Sequence, residues 1–105
     1  MLQLLLLLVS GCATSPYAGS CLNPDTDLCL EYTTPTFDAF TVRASCIYEY
    51  AAGECPRDDA FLGTCPSPTL DGQEPSIIYA YYTPGFDAAS AETACGVIGG
   101  AWEPA

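Results

Sequence analysis

The chain has 105 residues, with 13 carboxylates against two arginines, no lysine or histidine, and a formal net charge of -11. Its length is that of one small domain. So acidic a surface repels phosphate backbones and anionic headgroups, which argues against nucleic acid as a partner and fits a well-solvated exterior with diffuse counterions.

The first element in chain order is the apolar run ending in "LLLLLVSGC", Leu4 to Cys12. A membrane-spanning helix needs about 20 apolar residues, so this run is too short to span and instead matches the apolar core of a secretory signal. Val9, Ser10, Gly11 and Cys12 resemble the bacterial lipobox, an aliphatic residue and two small ones before a cysteine. The resemblance implies a thioether lipid on Cys12, cleavage between Gly11 and Cys12, and acylation of the new α-amine. Several acyl chains at about 0.8 kcal/mol per buried methylene would anchor the protein firmly without spanning the bilayer. No Lys or Arg precedes the apolar run. That departure points to a start upstream of Met1 or to a weak signal. Ala13 rather than Asp follows Cys12, which favours the outer membrane of a Gram-negative envelope. A buried N-terminal helix is the competing reading, but such a helix has no reason to end in small-small-Cys.

Residues 1–11 are thus expected to be a signal peptide and 12–20 a lipidated tether. Its stretch "ATSPYAGS" (13–20) is small and turn-prone, with a reach of only about 26 Å at 3.3 Å per residue. Residues 21–105 hold Cys21, Cys29, Cys46, Cys55, Cys65 and Cys95. Six cysteines in a small exported domain read as three disulfides, with 15 connectivities open. The gaps of 7, 16, 8, 9 and 29 residues and the absence of histidine argue against zinc, and no metal or other cofactor is expected. "NPDTD", Asn23–Asp27, lacks the glycine and terminal glutamate of a calcium loop and reads as an Asx turn.

Leu28–Thr33 and Ser76–Thr83 carry the apolar, aromatic and β-branched pattern of strands. Each leads through Thr-Pro into Phe-Asp, where Asp38 and Asp87 are placed to cap helices and Phe37 and Phe86 sit at the staple position. Ala39, Val42 and Cys46, like Ala88, Ala91 and Cys95, recur on one helical face. Gly53 is expected to stop the first helix, and Gly99 and Gly100 the second. Residues 32–54 and 81–103 align without gaps at an offset of 49, with 9 identities in 23 positions including Pro, Phe, Asp and Cys. This predicts an internal duplication whose two copies pack face to face. Phe61–Cys65 and a short segment at Trp102 complete the strands, and Asp71-Gly72 marks a turn. The expected fold is α+β, a small disulfide-stapled domain with an antiparallel sheet and two helices on one face.

The pieces "CLEYT", "ECPRDDAFLGTC", "IIYAYY" and "ACGVIGGAW" resemble a group of small cysteine-rich lipoproteins of myxobacteria and related Gram-negative bacteria. The resemblance implies an envelope lipoprotein and carries no catalytic residues. Without His or Lys, and with the cysteines committed to lipid and bridges, a nucleophile lacks an activating base. The paired acids Asp58-Asp59, or Glu49 with Glu54, read as solvated surface rather than a glycosidase pair. The expected function is therefore a non-catalytic structural or interaction module held in the envelope through its lipid. The alternative is a carbohydrate- or protein-binding module using exposed tyrosine and tryptophan. If Ile77, Tyr79 and Tyr81 face the helices, strand alternation puts Ile78, Ala80 and Tyr82 on the other face, so Tyr82 and Trp102 are the candidate binding residues.

Overall fold

A computed structural model describes residues 16–69 and 75–105. The signal segment, Cys12 and the Asp71-Gly72 turn lie outside the described residues. The elements run β1 (Tyr17–Asn23), β2 (Leu28–Thr33), α1 (Ala39–Ser45), β3 (Glu49–Ala51), β4 (Phe61–Pro66), β5 (Ile77–Tyr82), α2 (Ala88–Val97) and β6 (Glu103–Pro104). They form one six-stranded sheet of order β3-β1-β2-β5-β4-β6 in which every pair is antiparallel.

The β1–β2 hairpin turns where the Asx pattern places it. Asn23 Oδ1 accepts from the Asp25 amide at 3.0 Å, and Asp27 closes the turn in the left-handed region at φ 58°. The sheet begins earlier than the sequence suggests: Tyr17–Ser20, assigned above to the tether, is the first half of β1. Ala18, Gly19 and Ser20 have little strand propensity of their own, so it is the ladder with β2 on one side and β3 on the other that holds them extended. Gly19 (φ +146°) sits beside the irregular step in that ladder, and a Cβ there would lie 2.7 Å from the Tyr50 ring.

Both helices start as read. Asp38 Oδ1 accepts from the Thr41 amide and Asp87 Oδ1 from the Ser90 amide, each at 2.7 Å, and Ser90 Oγ accepts in return from the Asp87 amide. Phe86 packs against the cluster that holds Ala91 of α2, and both phenylalanines contact the preceding strand. They turn back to make edge-to-face contacts with Tyr32 and Tyr81, at 5.0 and 4.8 Å between centroids. Helix α2 ends near Gly99 as expected, but α1 stops at Ser45 with Cys46 as its cap, well before Gly53, and the chain re-enters the sheet as β3. Helices of seven and ten residues are too short to persist alone, the margin being about 12–15 residues. Their buried residues are few: Val42 in α1, Ala91 and Cys95 in α2, while Ala39 and Ala88 stay exposed. The bridges Cys21–Cys46 and Cys65–Cys95 fix them to β1 and β4.

The capping hydrogen bonds, from Thr41 and Ser90, hold both aspartates below their ordinary value of 3.8. A folded value depressed below the unfolded one means that the caps contribute fully above the unfolded value and are lost as pH falls through the lower folded one. The far-ultraviolet helical signal should therefore be retained as pH falls to the ordinary carboxylate value of 3.8 and drop only below it. In an Asp38→Asn, Asp87→Asn variant that acid step should shrink; an unchanged step would show that the caps do not carry it.

Several local features recur in the two halves of the chain. Gly19-Ser20-Cys21 in β1 corresponds to Gly63-Thr64-Cys65 in β4; each glycine lies at a ladder irregularity with an aromatic ring over it, Tyr50 in one half and Trp102 in the other. Thr34–Pro35 and Thr83–Pro84 are both cis. The halves lie side by side, β2 against β5, rather than face to face. The third bridge, Cys29–Cys55, has no counterpart, since the position matching Cys29 is Ile78.

Candidate functional site

Directly opposed residues of an antiparallel ladder share a face. Cys21, Leu30, Tyr79 and Cys65 are opposed across β1, β2, β5 and β4, so the two helix-fixing bridges leave the same side of the sheet. Both helices therefore lie on one face, as expected, with α1 against β1 and β3 and α2 against β4. Leu22, Cys29, Ala80 and Thr64 form the opposing row and point to the other face.

That other face is where Tyr82 projects, and it is covered. The segment leading into β4 folds over it, fixed by Cys29–Cys55. The Glu31 carboxylate, fully buried, accepts through Oε2 from the Cys55 amide at 2.9 Å and from Arg57 Nη1 at 2.8 Å. Arg57 also donates to the Cys55 carbonyl and stacks 4.5 Å above the Phe61 ring. Tyr82 packs with Cys29, Cys55 and Ala80, its hydroxyl donates to the Pro56 carbonyl at 2.6 Å, and burial pushes its phenol up to about 12. Tyr82 is thus a core residue and the binding role expected of it is corrected. Trp102 is likewise half-buried, packed on Tyr81 at 5.9 Å and over Gly63. Among the carboxylates considered above, Glu54 lies 3.8 Å from Arg57 and Asp58 accepts from the Ala60 amide, so both are engaged in holding this segment.

The open apolar surface is on the helix-bearing side. Because the helices sit on the flanking strands, Leu28, Leu30 and Tyr32 of β2 and Ile77 and Tyr79 of β5 form the floor of a trough between them, all only half-buried. On the β2 side the trough deepens into a concavity of about 230 Å³, floored by Leu28, Leu30 and Tyr32 and walled by Ile47 and Tyr48. Ile47 is 82% exposed and Tyr48 49%. Burial, and then the neighbouring Tyr79, raises the Tyr32 phenol above 10.0, so it remains a neutral hydroxyl at physiological pH. At one end, beside the β1–β2 turn that carries Asp25 and Asp27, the Asp27 carboxylate accepts from the Gly85 amide at 2.7 Å. Asp38 stands at the other end, beyond the Tyr32–Phe37 contact.

A second depression, about 510 Å³, lies on the covered side among Tyr17, Thr33, Pro66, Pro75 and Ile78. Some of its polar groups are engaged with one another: Thr33 Oγ1 donates to the Pro75 carbonyl and the Thr34 amide to that of Pro16. Among the described residues no cluster of three His, Cys, Asp or Glu could hold a metal ion, and no helix is long and apolar enough to cross a membrane.

Tyr48 stood among the aromatics visible in the sequence, but Ile47 was not distinguishable there. The signal available was the alternation of Leu28, Leu30 and Tyr32 with the buried Cys29 and Glu31, which sets the floor of the trough. Comparison with known protein families, curated proteins and solved structures finds no match to this chain.

Proposed function

We propose that this is an envelope lipoprotein, anchored through Cys12, whose disulfide-stapled domain is a non-catalytic structural or interaction module with the helix-side trough as its contact surface. The observation that carries the anchoring is the cysteine pairing. The six later cysteines are consumed by one another in three bridges. Cys12 is the odd cysteine of seven, and it alone follows an apolar run and two small residues. A domain of this size closed by three disulfides suits an oxidising compartment outside the cytoplasm. β1 begins five residues after Cys12, so the domain would ride within about 18 Å of the lipid. The outer membrane is the expected site, since Ala13 follows the cysteine.

The contact surface moves, relative to the sequence reading, from Tyr82 and Trp102 to the trough. Its exposed Ile47 and Tyr48 beside a half-buried apolar floor are the kind of surface that recurs at interaction sites. The matched halves support descent from a duplicated unit, and they extend that unit upstream to the Gly-Ser-Cys and Gly-Thr-Cys strands.

Fractionation and mass spectrometry test the anchor. Cys12 should carry a diacylglyceryl adduct at the mature N-terminus, and Cys12→Ser should move nearly all of the protein from membrane to soluble fractions. An exported protein that retains an unmodified Met1 would refute it.

A further inference from the structure

We infer that the trough receives a cationic polypeptide segment, an apolar side chain flanked by Lys or Arg; this rests on the trough being the contact surface. The floor decides how an occupant can be held. β2 and β5 are each paired on both sides, so their backbones offer no ladder to a new strand in the trough. Recognition must therefore run through side chains. In the concavity those are Leu28, Leu30, Tyr32, Ile47 and Tyr48, an apolar seat.

Two of the polar side chains at its margin are already engaged, while the Thr26 hydroxyl and the Tyr32 and Tyr48 phenols line it as well. Asn23 Oδ1 accepts from the Asp25 amide and Ser45 Oγ donates to the Thr41 carbonyl at 2.8 Å. A sugar would find stacking surface but few hydroxyl partners, whereas an apolar anchor needs none. Charge selects among protein partners. Asp25 and Asp27 stand at one end of the trough and Asp38 at the other. Of the two arginines, Arg57 is bound to Glu31 and Glu54 on the opposite face, and Arg43, exposed in the last turn of α1, is a single cation against the carboxylates on the helix-bearing side. A second copy of this chain, itself at -11, would be repelled, as would anionic lipid. Flanking Lys or Arg would instead meet carboxylates at both ends of the seat, with an attraction that salt screens over about 10 Å at 0.1 M.

The test uses the oxidised full-length protein in neutral detergent and four probes: a lysine-flanked Phe-Leu peptide, the same peptide with Ser for Phe and Leu, the same with Glu for Lys, and an N-acetylglucosamine oligomer. The first should bind, more weakly as NaCl rises, and the other three should bind at least about tenfold more weakly. An Ile47→Ser, Tyr48→Ala variant, altered at exposed positions so that its melting temperature stays unchanged, should lose about tenfold or more for the first probe. Absence of binding, equal binding of the Ser peptide, preference for the sugar or the acidic peptide, or indifference to the double substitution would each overturn the inference. Crosslinking in intact envelopes separates this failure from failure of the trough itself. If the peptide does not bind but the double variant loses crosslinked partners, only the cationic occupant is wrong; if the variant keeps them all, the trough is not the contact surface.

Discussion

Tyr82→Ala should lower the unfolding free energy by about 3–5 kcal/mol, the range for deleting a buried large aromatic. The ring is 5% exposed and fills the space between Cys29, Cys55, Ala80 and Phe61. Tyr82→Phe keeps that packing and removes only the hydrogen bond to the Pro56 carbonyl, so it should cost about 1 kcal/mol. Urea unfolding of the oxidised protein measures both. A Tyr82→Ala variant with unchanged stability would mean that the covering segment leaves Tyr82 in solution, and would restore it as a surface residue. Tyr81→Ala should fall in the same range as Tyr82→Ala, because Tyr81 is 3% exposed among Phe86, Trp102 and the Cys65–Cys95 bridge.

That Tyr82 and Tyr79 lie on opposite faces was legible, because strand alternation has a period of two; which of the two faces carries the helices is fixed by Cys65, opposed to Tyr79 and bridged to Cys95 of α2. What was not legible was the cover. It depends on Cys55 choosing Cys29 among all possible pairings and on Arg57 reaching Glu31, and neither follows from spacing along the chain. The same reasoning accounts for β1. Ala18, Gly19 and Ser20 read as a tether because nothing in them favours a strand; their extended form comes from two neighbours that are distant in sequence. The helix starts were legible because a cap is local chemistry, one carboxylate and the amide three residues on. The end of α1 was not, since Cys46 is drawn to Cys21 in β1 and Ile47–Tyr50, rich in aromatic and β-branched residues, is released to form the edge of the sheet and one wall of the trough. The features that make a candidate contact surface therefore arise where a long-range bridge overrides a local continuation.

The buried Glu31 shows how the unmatched bridge is integrated. One oxygen binds the Cys55 amide and Arg57; the other, Oε1, is buried without a hydrogen-bond partner among the described residues. Such an arrangement contributes little net stability compared with an apolar isostere, yet removing Arg57 alone leaves a carboxylate buried without its counter-ion. It specifies where the covering segment lies, which is the segment that joins the two halves. The face bearing this join is closed, and the face bearing the two helices is left open.

Loss of the three bridges should differ although their loops are nearly equal. They span 25, 26 and 30 residues, so the chain-entropy argument assigns each about 3.5 kcal/mol at 25 °C and cannot rank them. Native surroundings do. Cys29, Cys55, Cys65 and Cys95 are fully buried, whereas Cys21 and Cys46 are half-exposed. A reductant must reach sulfur to attack it, so under mild dithiothreitol Cys21–Cys46 should open first, and mass spectrometry after alkylation should find label on that pair while the other two remain oxidised. Helix α1, with only Val42 buried, should then fray, removing the Ile47–Tyr48 wall of the trough while the rest of the sheet persists. Cys65→Ser or Cys29→Ser should be costlier, about 2–5 kcal/mol, because each also leaves a partner thiol and a hydroxyl in a packed core. First labelling at Cys65–Cys95 or Cys29–Cys55 would mean that Cys21–Cys46 is better protected than its exposure implies.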